Sequence, residues 1–180
     1  QRTYLFRAQD LKTGEHWKLP LFYPSSFNME IKNPSAGYGY SYDFNHKANL
    51  LVCSFSGYDS IMVTDDMEKV RWYNGKSRYL KSLRPIVGES ADGFEWIGEY
   101  RRSAKYWHLM YDKYRDVYYR FAEMPCELGP GEYPLDEPKA REFSVIVFDK
   151  DFNIIGETKF PGNKYFYKMS FVGRDGLYIS

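Results

Sequence analysis

Apolar and polar positions alternate in short runs along this chain, and the runs recur. Trp107, Leu109 and Tyr111 alternate with His108, Met110 and Asp112, the period of two that marks a half-buried strand. The polar tetrad Lys113-Tyr114-Arg115-Asp116 ends the run, and Val117-Tyr118-Tyr119-Arg120-Phe121 starts another rich in β-formers, so residues 107–121 predict a hairpin. The same unit occurs 69 residues earlier in YGYSYDFNHKANLLVCSF, where Tyr38, Tyr40 and Tyr42 take the alternating positions. It occurs again 60 residues later as Tyr167, Met169 and Phe171, followed by a GRDG turn at 173–176 and by Leu177-Tyr178-Ile179.

A second unit also repeats. SIMVTDDMEKVRWYNGKSRY from Ser60 resembles SVIVFDKDFNIIGETKFPGNKY from Ser144, with Ser60, Val63 and Asp65 each 84 residues before Ser144, Val147 and Asp149. Both read as strand, acidic turn, strand. The opening YLFRAQDLKTGEHWKLPL fits the same template, with DLKTG at 10–14 as its turn. The two units alternate along the chain, and one of each makes four antiparallel strands, the blade of a β-propeller.

The predicted fold is therefore all-β, a β-propeller of four-stranded antiparallel blades. The expected division is a partial blade at 1–37, a blade at 38–79, a linking segment at 80–105, a blade at 106–165 with an inserted loop at 124–141, and the start of a further blade at 166–180. Pro130, Gly131, Pro134 and Pro138 exclude a central strand from that loop. Propellers use about four to eight blades because a closed ring protects their strand edges. About two and a half to three blades fit here, so the expectation is a fragment of a larger ring, or self-association that completes one.

Composition strengthens the β reading: 19% of the 180 residues are aromatic, including 18 Tyr and 13 Phe, and aromatic rings suit a pleated, half-buried surface. Charge removes a class of partner. The 25 basic and 24 acidic residues are interspersed, for a net charge of +1, so no field draws the chain to nucleic acid. No apolar run approaches the length of a membrane helix. Cys53 and Cys126 allow at most one bridge, and their spacing suggests neither a metal nor a redox motif.

Residues 106–125, YWHLMYDKYRDVYYRFAEMP, and 144–179, from SVIVFDKDFNIIGETKFP to FVGRDGLYI, resemble the domain-of-unknown-function family 4221 of Bacteroides and its relatives, over roughly residues 38–180. The resemblance implies a six- or seven-bladed propeller of the TolB-like kind, made as a lipoprotein and exported to the cell envelope. It implies no activity and no catalytic residues.

Motifs for metal or nucleophilic chemistry are not evident. His16, His46 and His108 stand singly, without a ligand at zinc-site spacing; no metal or other cofactor is expected. Asp112, Asp116, Glu142 and Glu157 are available as a glycosidase pair, the basis of an alternative reading as an envelope enzyme acting on glycan. Asp65, Asp112, Asp116, Asp149 and Asp175 nevertheless fall at predicted turns, where an aspartate bonds its own backbone.

Propeller topology sends two kinds of connection, within a blade and between blades, to one face. That face carries the loop 124–141 and the link from 75 to 105. Loops on a rigid scaffold collect binding residues, so the candidate ligand-binding residues are Arg78, Tyr79, Arg84, Trp96, Tyr100, Arg101 and Arg102, with Arg120 from the YYR run. Tyrosine faces and arginine forks suit carbohydrate or peptide; inter-blade packing is the simpler reading of the same residues. The expected function is a non-catalytic module that binds a ligand or an envelope protein, with a scaffold subunit of an outer-membrane assembly as a further alternative.

Overall fold

The structure is a computed structural model and describes residues 4–24, 39–83, 103–126 and 141–180. These residues are all-β apart from one 3₁₀ turn, Tyr167–Met169. A hairpin opens the chain, with β1 (Arg7–Gln9) paired to β2 (His16–Lys18). Next comes a four-stranded antiparallel meander of β3 (Tyr40–Asn45), β4 (Leu50–Phe55), β5 (Ser60–Thr64) and β6 (Arg71–Asn74). A second meander follows, of β7 (Lys105–Asp112), β8 (Val117–Glu123), β9 (Phe143–Phe148) and β10 (Ile154–Phe160). The hairpin of β11 (Phe171–Gly173) and β12 (Gly176–Tyr178) comes last.

The four sheets stack face to face in chain order, with an apolar layer in each gap. Leu5 and Leu21 meet Leu51, Cys53, Phe55 and Met62 in the first gap. Val52, Ile61 and Val63 meet Tyr106, Tyr118 and Ile146 in the second. Tyr119, Phe121, Phe143 and Val145 meet Tyr167, Val172 and Leu177 in the third. Strands β4 and β8 are thus covered on both faces, which explains why LLVCSF and VYYRFAE carry large residues at successive positions instead of alternating.

The hairpin turns are specified by single side chains. Asp10 accepts hydrogen bonds from the Lys12 and Thr13 amides (2.7 and 2.9 Å). Asn45 does the same for Lys47 and Ala48 (3.0 and 3.1 Å), and Asp112 for Tyr114 and Arg115 (2.9 and 3.1 Å). Each turn then places a residue in the left-handed region: Gly14 at φ 75°, Asn49 at 55° and Asp116 at 57°. Asn45 stands opposite Leu50 as Asp112 stands opposite Val117, so the first units are 67 residues apart and not the 69 that the alternation suggested. A slip of two residues leaves every side chain on its face, and only the turn distinguishes the two registers. The offset of 84 between the second units is correct, since Val52 pairs with Val63 as Tyr119 pairs with Val147.

Three further expectations are corrected. Tyr167 and Met169 lie in the 3₁₀ turn, not on a strand, and the Ser170 hydroxyl closes that turn on the Tyr167 carbonyl. In the β5–β6 turn it is Asp66 that accepts the amides of Glu68 and Lys69, while Asp65 pairs with Arg71. A register shift in β7 between Tyr106 and Leu109 breaks the alternation, so His108 does not oppose Trp107. The rings of Trp107 and His108 lie 6.0 Å apart and His108 meets Phe121 at 6.2 Å, on the side of the third layer.

Candidate functional site

An antiparallel meander returns alternate connections to alternate ends. The tight turns at 46–49, 65–70, 113–116 and 149–153 occupy one end of the two meanders. The other end receives the connections after β4, β6 and β8, and most of the buried polar side chains gather there, Asn45, Thr64 and Asp112 lying at the tight-turn end.

Arg120 is the centre of this cluster. It is fully buried, in the gap between the two meanders. Nε donates to Ser54 Oγ at 2.8 Å; Nη1 donates to the carbonyls of Asp59 and Gly75 at 2.5 and 2.9 Å; Nη2 donates to those of Phe55 and Tyr58 at 3.2 and 2.6 Å. All five guanidinium donors are taken by protein acceptors, none of them a carboxylate. Burial draws the group down to about 10 against the opposing charges of Tyr106 and Asp59. Gly75 is required beside it, because a Cβ there would lie 2.7 Å from Arg120 Nη1 and 2.9 Å from the Asp59 carbonyl.

The Tyr106 ring lies under the guanidinium. Its hydroxyl donates to Asp59 Oδ1 (2.7 Å) and accepts from the Ser77 amide (3.0 Å). Ser77 Oγ and Ser144 Oγ both reach Glu157 Oε1, at 2.5 and 2.6 Å. Glu157 comes from β10, so these bonds join the segment after β6 to the far strand of the next sheet.

The result is a segment without regular structure whose amides from Gly75 to Leu80 are nonetheless all bonded. The amides donate as follows: Gly75 to the Asp59 carbonyl (3.1 Å), Lys76 to Asn74 Oδ1 (3.1 Å), Ser77 to Tyr106, Arg78 to Glu157 Oε2 (2.9 Å), Tyr79 to Ser77 Oγ (3.1 Å) and Leu80 to the Ser77 carbonyl (3.4 Å). Gly75, Ser77 and Leu80 are buried, while Lys76, Arg78, Tyr79 and Lys81 face outward. The Arg78 side chain, 63% exposed, lies 4.9 Å over the Tyr79 ring and donates through Nη2 to the Tyr79 hydroxyl (2.9 Å) and to the Glu157 carbonyl.

A second polar cluster sits where β7, β8 and β9 reach the same end. Lys105 and Arg141 approach Glu123 Oε1 at 3.5 and 2.6 Å, and the Tyr167 hydroxyl donates to Glu123 Oε2. Burial, with Arg141 and Lys168 nearby, brings Lys105 down to about 8 even though Glu123 opposes the change.

Among the predicted binding residues, Arg78 and Tyr79 are brought together on the surface of the loop-bearing end. Arg120 lies beneath them as part of the framework, its donors consumed, in the packing role set against ligand binding. Arg84, Trp96, Tyr100, Arg101 and Arg102 lie outside the described residues. Ser77, Glu157, Tyr106 and Asp59 were not singled out as a unit, because their partners are distant in sequence. The carboxylates weighed as a glycosidase pair separate: Asp112 and Asp116 belong to a tight turn, and Glu142 and Glu157 to the opposite end, with Glu142 paired to Lys159 at 2.7 Å. Cys53 is buried, and burial pushes its thiol up to about 12; neither it nor Cys126 forms a disulfide. Among the described residues no helix is long and apolar enough to cross a membrane.

The family model described as a domain of unknown function, DUF4221, matches residues 3–159. A crystal structure of a member of that family from Bacteroides vulgatus is 61% identical over 98% of this chain, with a TM-score of 0.91. The match covers 49% of the solved chain, so this chain spans about half of that protein's length. No curated protein matches.

Proposed function

The chain belongs to the DUF4221 family of domains of unknown function, and on that premise we propose that it is a β-propeller module that binds a ligand, without catalysis, through its loop-bearing end. The ring reading rests on the sheet arrangement. Two complete meanders and two hairpins stack in chain order, and β3, β7 and β11, the first strands of successive sheets, run side by side. First strands meeting in this way line the axis of a propeller. A six- or seven-bladed lipoprotein of the cell envelope is the form that the family resemblance suggests for it.

The observation that carries the binding role is the segment from Gly75 to Leu80. Its six consecutive amides are all bonded within the protein, yet Arg78 and Tyr79 point outward. Holding a loop this firmly while leaving an arginine and a tyrosine exposed favours recognition, because little ordering entropy is left to lose on binding. The test is a melting-temperature screen against mono- and oligosaccharides and short peptides. A ligand-dependent rise that disappears in Arg78→Ala and Tyr79→Ala supports the role. Ligands whose effect survives both substitutions overturn it at this site.

A further inference from the structure

We infer that the ligand of this segment is an anionic polysaccharide, an inference that rests on the binding role above and assigns its chemistry. Lys76, Arg78 and Lys81 are exposed on one short stretch that contains no acidic residue between Gly75 and Leu83. The carboxylate nearest Arg78 is Glu157; it is buried, its oxygens bonded to Ser77, Ser144 and the Arg78 amide, with Oε2 3.9 Å from Arg78 Nε, so the two lysines carry the uncompensated charge. Among the described residues the other carboxylates at that end are also engaged: Asp59 accepts from the Tyr106 hydroxyl, Glu123 pairs with Lys105 and Arg141, and Glu142 pairs with Lys159. The stretch therefore presents cationic charge on a rigid support.

The mode of recognition follows from the backbone. A peptide that adds to an edge or an extended segment is held mainly by main-chain hydrogen bonds, and no amide from Gly75 to Leu80 is left to make them. Recognition falls to side chains: the exposed Arg78 guanidinium, held through Nη2 by the Tyr79 hydroxyl and the Glu157 carbonyl and meeting a carboxylate or sulfate with its remaining N–H groups, the half-exposed Tyr79 ring, and two lysines spaced along the stretch. A chain of sugars carrying acidic groups meets both requirements, with ring faces for the tyrosine and repeated charge for the cations.

The experiment is calorimetric titration of the whole chain with polygalacturonate, dextran and poly-L-glutamate. Polygalacturonate is expected to bind, with affinity falling about tenfold in Arg78→Ala and again between ~50 and ~500 mM salt, and with a shallower salt dependence in the Lys76→Ala, Lys81→Ala double variant. All four side chains are exposed, so thermal melts of the variants are expected to match the parent. Dextran binding equally well without salt dependence would overturn the anionic assignment and leave the binding role standing. Poly-L-glutamate binding as tightly as polygalacturonate would overturn the assignment to polysaccharide. No binding of any probe overturns this inference alone. Polygalacturonate binding that ignores both Arg78→Ala and Tyr79→Ala overturns the inference and the role together.

Discussion

The Tyr106 ring lies flat against the Arg120 guanidinium, 3.4 Å from ring centroid to central carbon. Both residues belong to the second meander, and both send their hydrogen bonds across the gap to the first. Arg120 takes carbonyls from the connection after β4 and from Gly75, and Tyr106 takes Asp59 and the Ser77 amide. Two side chains thereby set the position of the segment that displays Arg78 and Tyr79. Stacking on the aromatic face also compensates part of the cost of burying the guanidinium.

Arg120→Met fills the space but removes the guanidinium donors from four backbone carbonyls and a serine, of which the Asp59 and Phe55 carbonyls keep only an amide. A loss of several kcal/mol is expected by urea unfolding, since each buried acceptor left unsatisfied costs about 1–3 kcal/mol. Arg120→Lys is expected to recover little of it, since three donors on a compact ammonium do not reproduce a five-donor fork.

Gly75→Ala tests the close approach directly. The added methyl meets the Asp59 carbonyl, which is backbone, as well as Arg120. A loss of about 1–3 kcal/mol is expected, as for overpacking elsewhere, together with weaker ligand-induced stabilisation because Ser77 and Arg78 shift with Gly75.

Lys105 predicts a pH effect of definite sign. Its folded value, about 8, lies below the ordinary lysine value of 10.5, so between those values the unfolded chain binds more protons than the folded one and stability rises with pH. Below about 8 the lysine is charged in both states and its burial penalty is present in full. Cys53, raised from 9.0 to about 12 by burial, acts in the opposite direction above about pH 9, as do Tyr106, Tyr111 and Tyr119, held up first by burial, above about pH 10. The difference in unfolding midpoint between the parent and Lys105→Met is therefore the readout, and it is expected to move in the parent's favour from about pH 7.5 to 10.

Asp112 predicts the acid limb. Burial opposes its ionisation, but the Arg115 side chain and the amides of Tyr114 and Arg115 outweigh burial and hold the carboxyl below its ordinary value. Stability from this group is present above the unfolded value of 3.8 and is lost as pH falls through the lower folded one. Asp112→Asn is expected to keep the turn, as Asn45 does at the equivalent position, and to lose the pairing with Arg115. Asp112→Ala loses both and is expected to cost about 1–2 kcal/mol more, in the range of a lost cap. Equal melting temperatures for the two variants would contradict the turn role.

Much of the fold was legible in particular residues. Asp10, Asp112 and Asp149 marked turns, and Val63 and Val147 set the correct offset; the loop that the prolines predict lies largely outside the described residues. Arg78 and Tyr79 were legible as candidates, but their rigidity was not. It depends on Glu157 and Tyr106, separated by 79 and 29 residues from Arg78 and Ser77, which they hold, and nothing local in the sequence links such pairs. Arg120 was misleading for the same reason: its acceptors are mostly backbone carbonyls, which every residue has and no residue type announces.

Alternation and turn chemistry act between residues two to four apart, so the order of strands and most of their turns were legible in the chain, with the Tyr167–Met169 turn and the Asp66 turn as the exceptions. Only the tertiary structure decided which faces are covered on both sides, that the first units are 67 and not 69 residues apart, that a bulge turns His108 toward the third layer, and that Arg120 is framework while Arg78 is surface. Those outcomes depend on which sheet packs on which, a long-range choice to which a period of two is blind.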